Sequence, residues 1–168
     1  LLEVGRSSEA SQLLSRLKKD FPKHPKVEEA LYFMAWADFR DDRFVEAAEG
    51  FYQFFKKFPH SDKAIESLLR SANAYFSAKQ FRKALELYND VLRQGQGAFK
   101  KDSNTGIAWS YYKLNEFDKA GNYFLTLARN AESKDSKAEQ YYQAIHSYYS
   151  GEAWSKGIEV ANEFVKNG

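Results

Sequence analysis

The chain has 168 residues, enough for one compact domain or one short repeat array. Its formal net charge of +2 comes from acids and bases interspersed along the chain, so it lacks the basic face that a nucleic-acid binder concentrates. With no cysteine, disulfides, thiolate metal sites and a cysteine nucleophile are excluded, and no apolar run reaches the roughly 18 residues of a membrane span.

Hydrophobic periodicity predicts nine helices. The first covers 7–20, after a turn at Gly5, and Pro22 and Pro25 then stop it. Helices over 26–40 and 43–57 follow, ended by Pro59, with Ser61 as the expected N-cap of a helix over 62–78. The next, 81–94, leads into a polar loop, Gln94–Lys101, and then helices over 102–114 and 117–130. A second polar loop, Ala131–Lys137, precedes a helix over 137–150, for which Ser136 and Glu139 fit a capping box. The last covers 153–166, with Gly168 placed to terminate it.

These elements repeat. Ala10, Ala47, Ala84, Ala120 and Gly157 fall into one register, at spacings of 37, 37, 36 and 37. Three residues earlier stand Ser7, Phe44, Phe81, Phe117 and Trp154. Four later come Leu14, Phe51, Tyr88, Phe124 and Ala161, and seven later Leu17, Phe54, Val91, Leu127 and Phe164. Offsets of three, four and seven share one helical face, so each anchor marks the second helix of a pair. In the first helices, Asp38, Tyr75, Tyr111 and Tyr148 stand nine before the anchor, with Ala35, Ala72, Ala108 and Ile145 three earlier again. Small residues let two helices approach closely while neighbouring rings fill the grooves. A single pair cannot bury both faces, so the pairs must stack.

Ala72, Tyr75, Phe81, Ala84 and Tyr88 resemble the pattern of the tetratricopeptide repeat family, and Ala108, Tyr111, Phe117, Ala120 and Phe124 resemble it again. The resemblance implies an all-α fold, a right-handed superhelix of antiparallel helix pairs with about nine helices. It implies one array over 1–168, with the second helix of a truncated repeat at 1–22 and four pairs at 26–59, 62–95, 102–131 and 137–167. Because the register places only half a pair before Pro22, the chain is expected to be a piece of a longer array, with Leu13, Leu14 and Leu17 on an open edge. The period departs from the family's usual 34, Asp38 stands where an aromatic is expected, and Ile145 where a small residue is expected. The Phe-Pro junctions at Phe21–Pro25 and Phe58–Ser61 are similar to a bacterial envelope subset. That subset includes the C-terminal domain of the Tol–Pal coordinating protein and the lipoprotein scaffold of the outer-membrane β-barrel assembly machine. A periplasmic or outer-membrane-associated location follows from this likeness, with a cytoplasmic one as the alternative.

The family's first helices line a concave groove, and the resemblance carries its ligand-facing positions to Tyr32, Trp36 and Phe39, to Leu69, Asn73 and Phe76, to Thr105, Trp109 and Tyr112, and to Tyr142, His146 and Tyr149. Eight of these twelve are aromatic, which places much of the chain's 17% aromatic content on the expected ligand face. The same rings at helical spacing also suit a core. Trp36, Trp109 and Tyr149 are expected to be exposed, and Phe39 and Phe76 mostly buried. Glu29, Glu66, Asp102 and Glu139 recur at one position, either as an acidic rim for a basic partner or as first-turn charges that complement helix amides. The carboxylate clamp of chaperone-binding members is matched only by Asn73, with Leu69 and Arg70 beside it.

No catalytic residue, metal site or cofactor is expected. His24 and His60 sit at proline-containing junctions, His146 has no ligand partner at i+3 or i+4, and Gln94 to Ala98 lacks the Lys-Ser/Thr of a phosphate loop. The expected function is a non-catalytic scaffold that binds a segment of another protein, with neither nucleic acid nor a membrane span involved. The alternatives are the helical arm of a larger envelope enzyme, such as a lytic transglycosylase, and self-association through open array ends.

Overall fold

The computed structural model of the chain describes residues 26–94, 97 and 99–167, together with Arg16 and Asp20. The predicted helix 7–20 and its anchor Ala10, the edge residues Leu13, Leu14 and Leu17, and the junction residues Pro22, His24 and Pro25 lie outside the described residues. The chain divides into two compact units, 1–94 and 95–168. The first holds α1 (Lys26–Arg40), α2 (Phe44–Lys57), α3 (Ala64–Ser77) and α4 (Phe81–Gln94); the second holds α5 (Lys100–Lys113), α6 (Phe117–Arg129), α7 (Lys134–Ser150) and α8 (Trp154–Asn167). Every regular element among the described residues is an α-helix, and the chain is all-α. Within each unit the helices pack chiefly on their neighbours in the chain.

Four three-residue turns reverse the chain inside the helix pairs, and they are alike. The middle residue of each, Asp42, Lys79, Asn115 and Glu152, has a left-handed backbone with φ of 58°, 59°, 61° and 59°. The next residue donates its N–H to the carbonyl five back, at 2.9 Å in every case: Arg43 to Asp38, Gln80 to Tyr75, Glu116 to Tyr111 and Ala153 to Tyr148. This is the Schellman arrangement that satisfies the orphan carbonyls of a helix end. A ring at each side of the turn latches it edge to face. Phe39 meets Phe44 at 5.3 Å, Phe76 meets Phe81 at 5.2 Å, Tyr112 meets Phe117 at 5.2 Å and Tyr149 meets Trp154 at 4.5 Å.

The small anchors Ala47, Ala84 and Ala120 are fully buried, and Gly157 is buried too. In the first unit the core is Tyr32, Ala35, Ala47, Phe51 and Phe54, with Ala74 closing it from α3. Ser71 adds a hydrogen bond from its hydroxyl to the Ala48 carbonyl, 2.7 Å away, and so ties α3 to α2. In the second unit Phe124 and Ala128 of α6, Tyr141, Ala144 and Tyr148 of α7 and Val160 of α8 make the core. Gly121 is required there by close approach, because a Cβ at that position would stand 2.7 Å from the Tyr148 ring. The Tyr148 hydroxyl reaches past it to donate to Asn122 Oδ1 at 2.7 Å.

The departure at Asp38 has a structural explanation. At the equivalent positions a lysine ammonium lies over each tyrosine ring: Lys83 over Tyr75, Lys119 over Tyr111 and Lys156 over Tyr148, at 5.0, 5.2 and 5.8 Å. In the first pair the lysine's place is taken by Glu46 and the ring's by Asp38, whose carboxylate accepts from Arg43 Nε at 3.1 Å and Arg43 Nη2 at 2.5 Å. A cation still covers the position, now by charge rather than by a ring face.

Two expected caps are corrected. Helix α7 begins at Lys134, three residues before the expected start, and its N-cap is Ser133, whose hydroxyl accepts from the Ser136 amide at 3.2 Å. Ser136 and Glu139 therefore form no capping box, and the loop before α7 is shorter than expected. Ser61 does not cap α3 directly, since that helix starts at Ala64 with Lys63 as its N-cap. Ser61 works one turn earlier: its oxygen accepts from the Lys63 amide, and its hydroxyl donates to Glu28 Oε1 at 2.5 Å, joining the junction to α1.

A charged network fastens α6, α7 and α8. Arg129 donates from Nε to Glu163 Oε1 at 2.9 Å and from Nη2 to Oε2 at 2.6 Å, while Tyr141 donates to Oε1 at 2.7 Å. The Arg129 hydrogen bond, followed by that from Tyr141, holds the Glu163 carboxyl down at about 2, against an ordinary 4.5. Burial, followed by its bond to Glu163, pushes the Tyr141 phenol up.

Two outcomes are expected from these features. Left-handed backbone costs about 1–2 kcal/mol for residues with a Cβ, and less for Asn and Asp. Lys79→Gly and Glu152→Gly should each raise the unfolding free energy by about 0.5–1 kcal/mol, after glycine's own entropy loss, and Asn115→Gly should gain less. Urea titrations with unchanged slopes would show it. The second concerns acid. Because the folded Glu163 value is depressed, its stabilisation is complete above about 4.5 and fades as pH falls toward 2. Solvent screening of the half-exposed Arg129 holds that contribution to about 1 kcal/mol. Glu163→Gln should therefore lower stability at neutral pH and flatten the pH dependence of unfolding in that window, followed by circular dichroism.

Candidate partner-binding surface

The first helices of each unit place their sequence-expected groove residues differently. In the first unit Tyr32 and Leu69 are only 6% and 3% exposed, so neither side chain has surface to give a partner; both are core. Tyr32 owes this to Phe51 and Phe54, whose rings stand 5.8 and 5.5 Å away edge to face, and burial pushes its phenol up. Trp36 is half-buried rather than exposed, edge-on to Phe51 at 5.5 Å and to Phe39 at 5.9 Å. Its outer face is covered by the Arg70 guanidinium, 4.9 Å from the ring centre, which Glu66 holds at 3.0 Å. Phe39 and Phe76 are half-buried in their turn latches, and Asn73 Oδ1 accepts the Tyr88 hydroxyl at 2.7 Å. That bond commits the only residue that matched the carboxylate clamp.

The second unit keeps the frame and removes the lid. Trp109 repeats Trp36: it too is half-buried rather than exposed, edge-on to Phe124 at 5.1 Å and to Tyr112 at 5.7 Å. At the register position of Arg70 stands Gln143, which donates to Glu139 Oε1 at 2.7 Å, and among the described residues no cation covers Trp109. From Trp109 the rings continue outward. Tyr112 lies 5.7 Å from the His146 ring, and its hydroxyl is 3.3 Å from His146 Nδ1 and 3.5 Å from Ser150 Oγ. Tyr142 stacks on His146 at 6.0 Å and 27°. Tyr142 is 60% exposed and Tyr149 64%, and Trp154 beside Tyr149 is 49% exposed. Thr105 stands apart from this row, half-buried, with its hydroxyl donating to the Lys101 carbonyl at 2.9 Å.

Tyr142 and His146 on α7 and Tyr112 and Trp109 on α5 thus form one run of touching rings, and Tyr149 with Trp154 forms a further exposed pair at the end of α7. Flat rings held by their neighbours offer large contact area at small entropic cost. Trp154 belongs to this surface although it was expected only as an anchor-register aromatic; the pattern of paired rings at every turn is the signal that places it beside Tyr149. Arg70 is a second residue the groove positions do not include.

The acidic row is mostly engaged. Glu29 pairs with Lys26 at 2.7 Å, Glu66 with Arg70, and Glu139 accepts from Gln143. Asp102 alone makes no side-chain hydrogen bond among the described residues. Glu29, Glu66 and Asp102 sit in first turns, as the dipole reading requires, but the early start of α7 moves Glu139 into the second turn. Among the described residues no cluster of acids and histidines could hold a metal ion.

Comparison with known proteins follows this geometry. The family model described as tetratricopeptide repeat matches residues 66–94, which span most of α3 and all of α4. The fold is similar to the nearly identical tetratricopeptide-like repeats of a Podosopora anserina protein described as a kinesin light chain. The TM-score is 0.69 at 17% identity, over 96% of this chain and 87% of that one. A single-substitution variant of those repeats is similar at a TM-score of 0.70 and 16% identity, over 96% of this chain and 86% of that one. No curated protein matches the chain in sequence. Residues 66–94 are therefore a match to a tetratricopeptide repeat, and the chain as a whole has the fold of tetratricopeptide-like solenoids.

Proposed function

We propose that the chain is a non-catalytic scaffold that binds a segment of another protein across the aromatic surface of α5 and α7. The observation that supports this most is the exposure of Tyr142 and Tyr149, at 60% and 64%, each against a neighbouring ring that holds it in place. Soluble surfaces rarely leave several large rings together without a use, whereas single exposed apolar residues need no explanation. The unlidded Trp109, compared with Trp36 under Arg70, favours the second unit as the place of docking. In this reading the four helix pairs form a single array, on the strength of their constant 36–37-residue spacing. Its setting is the bacterial envelope, on the strength of the Phe58-Pro59-His60-Ser61 junction, periplasmic or outer-membrane-associated. No helix among the described residues is long and apolar enough to cross a membrane.

The binding test must avoid the rings that pack on the core. Trp109 lies against Phe124 of the core, and truncating it should cost about 3 kcal/mol or more, which would confuse binding with unfolding. Tyr142→Ala removes an exposed ring and should change stability by less than about 0.5 kcal/mol, while Tyr149→Ala also gives up the latch against Trp154 and should cost about 0.5–1.5 kcal/mol with the chain still folded. In a pull-down from the source organism, the double variant should lose the partner that the native chain retains, with affinity for the purified partner reduced at least about tenfold. Val165→Ser, on an 83% exposed residue of α8, serves as the control that keeps binding. Equal recovery of the same partner by the native chain and the double variant would rule this surface out.

A further inference from the structure

The two units differ at one place in a way that opens a cavity. In the first unit the open end of the α1–α2 pair, beside the start of α3, is plugged by three rings. Phe54 lies 5.5 Å from Tyr32 and 5.2 Å from Phe58, and Lys63 of the junction stands over Tyr32 at 5.8 Å. Two repeat periods later, 73 residues on, these three positions are Thr105, Leu127 and Ala131. Each ring has become a smaller side chain, and all three line a cavity of about 380 Å³ among α5, α6 and α7. That volume lies within the range of small-molecule pockets, about 300–1,000 Å³.

The chemistry of the wall changes with its size. Glu28, which binds Ser61 in the first unit, is replaced at the same register by Lys101, and Leu31 by Asn104. Lys100 and Lys101 face a single lining carboxylate, Glu132. Gln140, another lining residue, takes the place of Ser67. Its primary amide adds N–H donors to the wall. Lost rings alone would leave an apolar hole; here the replacements at neighbouring positions are donors and cations.

We propose that this cavity is a binding site for a small anionic ligand, one that carries a carboxylate or a phosphate group, with Lys101, Asn104 and Gln140 as its principal contacts. The site lies apart from the aromatic surface of Tyr142, His146 and Tyr149 and does not depend on it.

The test is a nuclear magnetic resonance titration of the isotope-labelled chain with inorganic phosphate, citrate and glucose at constant ionic strength. One of the two anions should shift the amides of Lys101, Asn104 and Gln140 saturably, with a dissociation constant of about 1 mM or tighter. A response to phosphate alone identifies a phosphate ligand, and a response to citrate alone a carboxylate. Lys101→Glu restores the charge found in the first unit at an exposed position, and should weaken binding about tenfold or more. Ala131→Phe restores a ring and should abolish it; should that variant unfold, Lys101→Glu still decides. Absence of saturable shifts with both anions, an equal response to glucose, or undiminished binding by Lys101→Glu would overturn the assignment.

Discussion

Two helices can cross at short range only where one of them has almost no side chain. In this chain that requirement falls on Ala47, Ala84, Ala120 and Gly157, and all four are buried. The rings around them follow from it. Once the backbones are close, Phe51, Tyr88 and Phe124, four residues on, are carried into the core, with 1%, 3% and 1% exposure. Gly121 shows how far the requirement can go, since even a methyl group there would collide with Tyr148. Positions on the far side of the first helices are then free to vary, and they differ between the two units.

Most of the fold could be read from the residues because this constraint recurs. A small residue every 36–37 positions, with aromatics at −3 and +4, fixes where each second helix lies and hence where each first helix must precede it. Helices α1 and α4 have the bounds expected of them, and the other described helices start or stop within three residues of expectation. What escaped was local. Lys79 and Glu152 do not announce a left-handed turn, and Asp42 and Asn115 only tolerate one, because glycine is the usual sign and none of the four is glycine. The start of α7 was misplaced because two serines three apart can each cap a helix, and only the backbone shows that Ser133 does.

The surface was less legible, for a different reason. Periodicity tells which side of a helix a residue occupies but not what stands over it. Trp36 and Trp109 hold the same register and are both half-buried, yet a guanidinium covers only the first, a difference traceable to Arg70 and Gln143 on the next first helix. Tyr32 and Thr105 likewise share a position, one sealed in core and one at the wall of a cavity. Such contrasts appear only when repeats are compared through their neighbours. They make the second unit the chemically more open one, with exposed rings on one side and a polar hollow at its loop end.

The packing of each helix chiefly on its neighbours in the chain bears on kinetics. Contacting residues within a unit are seldom far apart along the sequence, so little loop-closure entropy must be lost before packing begins, and chains of this kind fold in microseconds to milliseconds. The same locality makes opening piecemeal. A helix held from one side can separate while the rest stays intact, so amide hydrogens should exchange with solvent at graded rates rather than in one all-or-none event. The bidentate grip of Arg129 on Glu163 acts against that peeling at α8, since it anchors the helix beyond its immediate neighbour.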